Sequence, residues 1–222
     1  MKTILSIAIP LLLTALFLAY LHYKFAIRSW KLIIHAVLFG LLASVPLLLL
    51  NEGTILKGIY ELRNLKRTGF YSFVVVGFGS ELGKFILLRY YFQRQKSFRT
   101  AFDGILYALL IGLSFSIVTL PLFMSGWLQG PANTVFLITY PIANIAFAVI
   151  LGFFVGLGKQ RQNRIVDSLT GLGAASFFHG FYFFINLTNE YLIYALFGGG
   201  LIVIAGLLLL KSLNQTDDNN QD

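Results

Sequence analysis

Leu192–Leu210 reads LIYALFGGGLIVIAGLLLL, nineteen residues without a charge. A helix needs about 20 predominantly apolar residues to cross the hydrocarbon core of a bilayer. Working outward from this run, Ile4–Leu21 and Leu32–Leu50 repeat the pattern. There are too many such blocks for one soluble core. Backbone polar groups in lipid must be satisfied within the segment, so the blocks are expected to be helices. No stretch alternates polar and apolar residues in the manner of a membrane β-barrel strand. Spans are expected near 4–21, 32–50, 70–92, 101–124, 134–157, 168–187 and 191–210. The expected fold is all-α: a polytopic membrane helix bundle of about seven transmembrane helices in residues 1–213. Residues 214–222 are polar and acidic and are expected to form a disordered tail.

Composition agrees. Hydrophobic residues make up 57% of the 222-residue chain and charged residues 12%, against about 25% charged in an ordinary soluble domain. There is no cysteine, which excludes a disulfide framework, thiolate metal ligation and a cysteine nucleophile. The formal charge of +8 is assigned to loops facing the cytoplasm and not to nucleic acid, because basic residues concentrate on that side of membrane proteins. The first apolar run follows Lys2, but the stronger basic cluster of Lys24, Arg28 and Lys31 comes after it. No small-residue cleavage pattern is present, so the run reads as a retained span and not a signal peptide.

The linkers alternate in charge. The first carries Lys24, Arg28 and Lys31, the third Arg94, Lys96 and Arg99, and the fifth Lys159, Arg161 and Arg164. The fourth, Ser125–Asn133, and the sixth, near Asn189, have neither Lys nor Arg. This asymmetry predicts a multi-pass protein of the cell membrane with its N-terminus outside and its C-terminus cytoplasmic. The second linker, Asn51–Gly69, is the exception. Its Ile55, Ile59 and Leu62 recur at helical spacing with charges opposite, which suggests a helix lying on the membrane surface or in a soluble loop.

Ionisable residues inside a bilayer are expensive and mark function by default. Glu81 lies mid-way along the third expected span, with Lys84 at i+3 on the same face. Asn144 lies near the middle of the fifth and His179 near the middle of the sixth. The three helices thus offer Glu81, Asn144 and His179 at one depth. They form either a structural polar network or a functional centre. Gly79 and Gly83 bracket Glu81 at the spacing that lets helix backbones approach closely, and Gly152 and Gly156 repeat it. Asp103 follows Thr100 by three residues and is expected to close a capping box at a helix start.

The ordered set is similar to the motifs of the PrsW family of intramembrane proteases. Ser80-Glu81-Leu82-Gly83-Lys84 resembles that family's Glu-Glu-x-x-Lys. Asp103-Gly104-Ile105-Leu106-Tyr107, with Gly112 and Phe115-Ser116, resembles its next helix, which ends in Glu-Asn. Asn144 through Gly152 and Gly156 resembles its His-Ala helix, and His179-Gly180-Phe181-Tyr182-Phe183 its last histidine helix. The resemblance runs from about residue 70 to 185. It implies a site with Glu81 as general base, His179 orienting the water or stabilising an oxyanion, and Lys84, Asp103, Ser80 and Asn144 in support. It also implies membrane-anchored proteins as substrates or clients. Three positions depart from the pattern: Ser80 replaces the first glutamate, Thr119-Leu120 the Glu-Asn and Asn144 the first histidine. A divalent metal would therefore meet an incomplete ligand set, since a catalytic zinc usually takes three protein ligands. The expected function is that of a member of this family acting on membrane-anchored clients with reduced or absent peptidase activity. The alternatives are a non-catalytic helix-binding protein and a small-solute transporter using Glu81 and His179 as a proton relay.

Overall fold

The structure, a computed structural model, describes residues 2–24, 30–57, 62, 64–161, 163–188 and 190–218. Every regular element among them is helical. The helices are α1 (Lys2–Lys24), α2 (Trp30–Leu42), α3 (Val45–Leu56), α4 (Leu65–Phe70), α5 (Gly79–Tyr90), α6 (Ala101–Met124), α7 (Thr134–Gln160), α8 (Arg164–Thr188) and α9 (Tyr191–Asp218). A π-helical segment, Tyr71–Phe78, joins α4 to α5, and a short 3₁₀ turn, Phe92–Arg94, follows α5. Taken together these give seven apolar helical stretches long enough to cross a membrane. The first and last, α1 and α9, bury the least of their surface and present it outward, while α6 and α7 pack most extensively at the centre.

The second span is broken between α2 and α3. Pro46 stands in the first turn of α3, where its missing N–H is tolerated, but its ring would clash with a carbonyl four residues earlier in a continuous helix. The third span fits into this break. A side chain at Gly83 would overlap the backbone carbonyl of Ala43. The Gly79–Gly83 face therefore packs backbone to backbone against the α2–α3 junction. Gly104, Gly152 and Gly156 do the same between α6 and α7, where added Cβ atoms would meet the facing backbone.

Two expectations about the ends of elements are corrected. Asn51–Leu56 complete α3 and Leu65–Phe70 form α4 at the start of the third span, so neither belongs to a separate surface helix. Asn51 and Thr54 are buried, and the Asn51 Oδ1 accepts a hydrogen bond from the Tyr71 hydroxyl at 2.7 Å. Ile59, Glu61 and Arg63, on which the surface-helix reading also relied, lie outside the described residues. At the C-terminus α9 runs on to Asp218, past the expected boundary at 213, because no glycine or proline interrupts Lys211–Asp218. Residues 219–222 lie outside the described set.

Candidate active site

Glu81 and Lys84 occupy the first two turns of α5. The π segment before them crosses α8 at close range: a Cβ at Gly77 would overlap the Ser176 carbonyl, and Gly180 faces Phe73 and the Ser72 carbonyl. This approach of two glycines brings His179, the neighbour of Gly180, onto Glu81. On the other side, Gly112 of α6 faces the Asn144 carbonyl of α7, which sets Asn144 in the same layer.

The four polar side chains converge as the sequence predicts. Glu81, Asn144 and His179 are 0% exposed and Lys84 is 1% exposed. The Lys84 ammonium donates to Glu81 Oε1 at 2.7 Å and to Asn144 Oδ1 at 2.6 Å. It also lies 4.5 Å from the centroid of the Phe115 ring, so both of its polar contacts and an aromatic face surround the cation. His179 Nδ1 lies 2.8 Å from the same Glu81 oxygen. A carboxylate only accepts, so with Glu81 ionised by Lys84 the imidazole proton sits on Nδ1. The Nε2 is then left as an acceptor in neutral imidazole. Its ring stacks on Phe147, with centroids 4.6 Å apart. Glu81 Oε2 and His179 Nε2 are both buried without a hydrogen-bond partner.

The network continues through residues that sequence reading alone did not select. Asn144 Nδ2 donates to the Tyr140 carbonyl at 3.1 Å. The Thr119 hydroxyl donates to the Phe115 carbonyl at 3.0 Å, so the Tyr140 hydroxyl is the donor in its 3.0 Å bond to Thr119. Thr119 and Asn144, two of the three positions that depart from the family pattern, are thus joined through Tyr140. The available signal was the i, i+4 spacing of Tyr140 and Asn144 on α7. Ser80 is buried beside Glu81, but its hydroxyl has no hydrogen-bond partner and does not join the network.

Asp103 stands apart. Its carboxylate accepts from the backbone of Thr100 at 2.9 Å and of Arg99 at 2.8 Å, while Thr100 Oγ1 accepts from the Asp103 N–H at 3.2 Å. This is the expected capping box. Gly112, at the level of Asn144, is nine residues further along α6, about 13 Å at the α-helical rise. Asp103 therefore stabilises the start of α6 and makes no hydrogen bond to the central cluster.

The donor set does not fit a catalytic divalent metal. Among the described residues no group of three His, Cys, Asp or Glu side chains is placed to hold one. Glu81 and His179 are two donors, and the carboxylate already carries a lysine.

A bundle of seven spans around a wholly buried carboxylate–imidazole–ammonium cluster defines a class: polytopic membrane proteins whose chemistry lies within the bilayer. Residues 28–211 match the family described as PrsW family intramembrane metalloprotease, and the chain belongs to that family. It is 22% identical over 165 residues to Protease PrsW of Halalkalibacterium halodurans, an alignment covering 74% of each chain. No solved structure matches the chain.

Proposed function

We propose that this family member acts on membrane-anchored protein segments through the Glu81–His179 centre and that its capacity to cleave them is weak or absent. The observation that carries the reading is the closure of the centre on itself. Lys84 neutralises Glu81, and Asn144 holds Lys84 in place. A general base should be free to take a proton, and the shared Glu81 oxygen is not. What catalysis remains passes through His179. Glu81 fixes its tautomer, as a buried carboxylate does in a hydrolase triad, and Nε2 is the acceptor without a partner. The roles implied by the motif resemblance are then exchanged: His179 is the base and Glu81 the group that orients it. Ser80 offers a hydroxyl where the family motif has a second carboxylate, and a hydroxyl cannot accept a proton from water near neutral pH.

The orientation belongs to the same proposal. The basic linkers face the cytoplasm, with the N-terminus outside and the C-terminus inside.

The test is incubation of the purified chain in lipid vesicles with single-span reporter substrates. Little or no cleavage is expected, with stable co-purification of intact reporter. Efficient cleavage that disappears in Glu81→Gln would overturn the reading of weak activity. If cleavage occurs, complete loss in His179→Ala with a strongly reduced but residual rate in Glu81→Gln would support His179 as the base and Glu81 as the group that orients it.

A further inference from the structure

We propose that Arg89, Arg94 and Arg164 form a binding site for the headgroup of an anionic phospholipid, seated between α5 and α8 at the end of the bundle that carries the third and fifth linkers. The register of the two spans brings the guanidiniums together. A Cβ at Gly180 would meet Phe73, and one at Gly77 would meet the Ser176 carbonyl. The third span and α8 therefore run antiparallel. Arg89 lies twelve residues after Gly77, and Arg164 lies twelve before Ser176, so the same pairing sets the two arginines level. The neighbouring helix ends are fixed around them. A Cβ at Gly158 of α7 would lie 3.3 Å from the Arg164 Cα. The Gln93 side-chain amide donates to the Val155 carbonyl at 2.7 Å, and Lys159 Nζ donates to the carbonyls of Gln93 at 2.5 Å and Gln95 at 2.9 Å. The ends of α5, α7 and α8 thus meet at one place.

Charge points to the ligand. Arg94 and Arg164 are close enough to repel the Arg89 charge, and Arg164 repels Lys159 as well. Among the described residues none of these cations makes a salt bridge. Arg89 donates to Gln93 Oε1, and the Arg94 guanidinium lies 5.9 Å from the centroid of the Tyr90 ring. The Arg164 side chain makes no hydrogen bond among the same residues. Two carboxylates are near. Asp103 attracts Lys159, but its Oδ2 is held in the cap of α6. Asp167 lies beside Gly158, and its Oδ2 is buried without a hydrogen-bond partner. Neither is bonded to an arginine. The basic bias of one membrane side explains why such residues are numerous here; it does not explain their convergence from two spans. A guanidinium presents a planar fork of donors that matches phosphate oxygens. A phosphate among the three would replace repulsion with charge-assisted hydrogen bonds.

The walls favour a lipid over a free phosphate. Ile86 and Tyr90 are exposed at i and i+4 on α5, and Ile165 and Leu169 at i and i+4 on α8. The antiparallel pairing puts these two rows at matching levels, running from the arginines toward the middle of the bundle. An acyl chain can follow them while its headgroup stays with the guanidiniums. Basic pockets between spans take anionic headgroups in this way.

The experiment uses the full-length protein in mild detergent, titrated with dioleoylphosphatidylglycerol or, separately, with dioleoylphosphatidylcholine. Retained lipid is counted by native mass spectrometry. Thermal unfolding is followed in nanodiscs of phosphatidylcholine with and without phosphatidylglycerol. No substrate is cleaved in either assay, so the outcome is independent of the proposed function. The wild type should retain phosphatidylglycerol in preference to phosphatidylcholine, and its Tm should rise when phosphatidylglycerol is present, as for any ligand that binds only the folded state. One arginine near an anionic headgroup is worth about fivefold in affinity. Arg89→Gln combined with Arg164→Gln should therefore weaken phosphatidylglycerol binding by about 25-fold, leave phosphatidylcholine unchanged and abolish the rise in Tm. Arg164 is exposed, so Arg164→Gln alone keeps the packing and should show about a fivefold loss even if the double variant misfolds. Lys211→Gln removes the same charge from α9 and should change neither lipid. Equal retention of the two lipids by the wild type would overturn the proposal. So would a loss in Lys211→Gln equal to that in Arg164→Gln, which would show a diffuse charge effect and not a site. Displacement of phosphatidylglycerol by an equal concentration of glycerol 3-phosphate would also overturn it, in favour of a soluble phosphate.

Discussion

Replacing Lys84 by methionine keeps most of the side-chain volume and removes the charge. In the folded bundle this leaves the Glu81 carboxylate buried at 0% exposure with only His179 against it. Breaking a buried ion pair from one side typically costs about 3–5 kcal/mol, because the remaining charge has lost its compensation. The Asn144 carbonyl loses its 2.6 Å donor as well, which places Lys84→Met toward the upper end of that range. For a chain of this size each kcal/mol shifts Tm by about 2–4 °C, so a drop on the order of 10 °C is expected. Glu81→Gln should also destabilise, by leaving the ammonium uncompensated. The double change Glu81→Gln with Lys84→Met removes both charges together, and replacing a whole buried pair is often nearly neutral. The two single effects together should therefore exceed the double one by about 6 kcal/mol or more, the sum of two one-sided losses of about 3–5 kcal/mol each. Thermal unfolding of the four proteins in the same nanodiscs measures this cycle. A Tm for Lys84→Met within about 1 °C of the wild type, where a 3–5 kcal/mol cost was argued, would refute the buried pair. Simple additivity of the singles would refute the contact.

Gly83→Val should be among the most damaging single changes, costing more than about 3 kcal/mol through a forced separation of α5 from Ala43; Gly173→Ala, where nothing lies within 4 Å, should be neutral or slightly stabilising, and thermal unfolding compares them. Thr100→Ala should cost about 1 kcal/mol by loss of the cap on α6, and Asp103→Ala should disturb stability less than Glu81→Ala, readable from the same melts. Because the chain has no cysteine, single cysteines report orientation cleanly. A cysteine at Ser125 should react with an impermeant reagent added outside intact cells and one at Asn163 should not, and the reverse pattern would invert the proposed topology.

The spans were legible because length and hydropathy decide them, and Ala101–Met124 coincides with its expected range to the residue. The convergence of Glu81, Asn144 and His179 was legible because charge and amide at mid-span admit few arrangements. Other features were hidden for physical reasons. Tyr140 and Thr119 pass as ordinary membrane residues, and only the fold shows their hydroxyls meeting. The α2–α3 break follows from Pro46, but its role as the seat of Gly83 depends on which helix lies opposite. The Asn51–Gly69 segment reads as one helix from its spacing, whereas Asn51–Leu56 finish α3 and Leu65–Gly69 begin α4. Asp103 was correctly read as a cap from the local sequence, while the motif resemblance also drew it toward the centre.

The π segment Tyr71–Phe78 has a consequence for how this chain tolerates insertions and deletions. Its wider turns accommodate residues that an α-helix between the same end points would have no room for. Deleting a single residue within 71–78 would let the segment relax to ordinary helical winding, and the residues after it would keep close to their present register. The same deletion in an α-helical stretch would turn everything after it by about 100° and move it by about 1.5 Å. Glu81 would then swing away from His179 toward a neighbouring face, although no residue of the centre had been altered. The reach of the carboxylate is thus encoded in the number of residues ahead of it as much as in their chemistry. A one-residue deletion within 71–78 is therefore expected to spare the centre where the same deletion in an α-helical stretch would silence it.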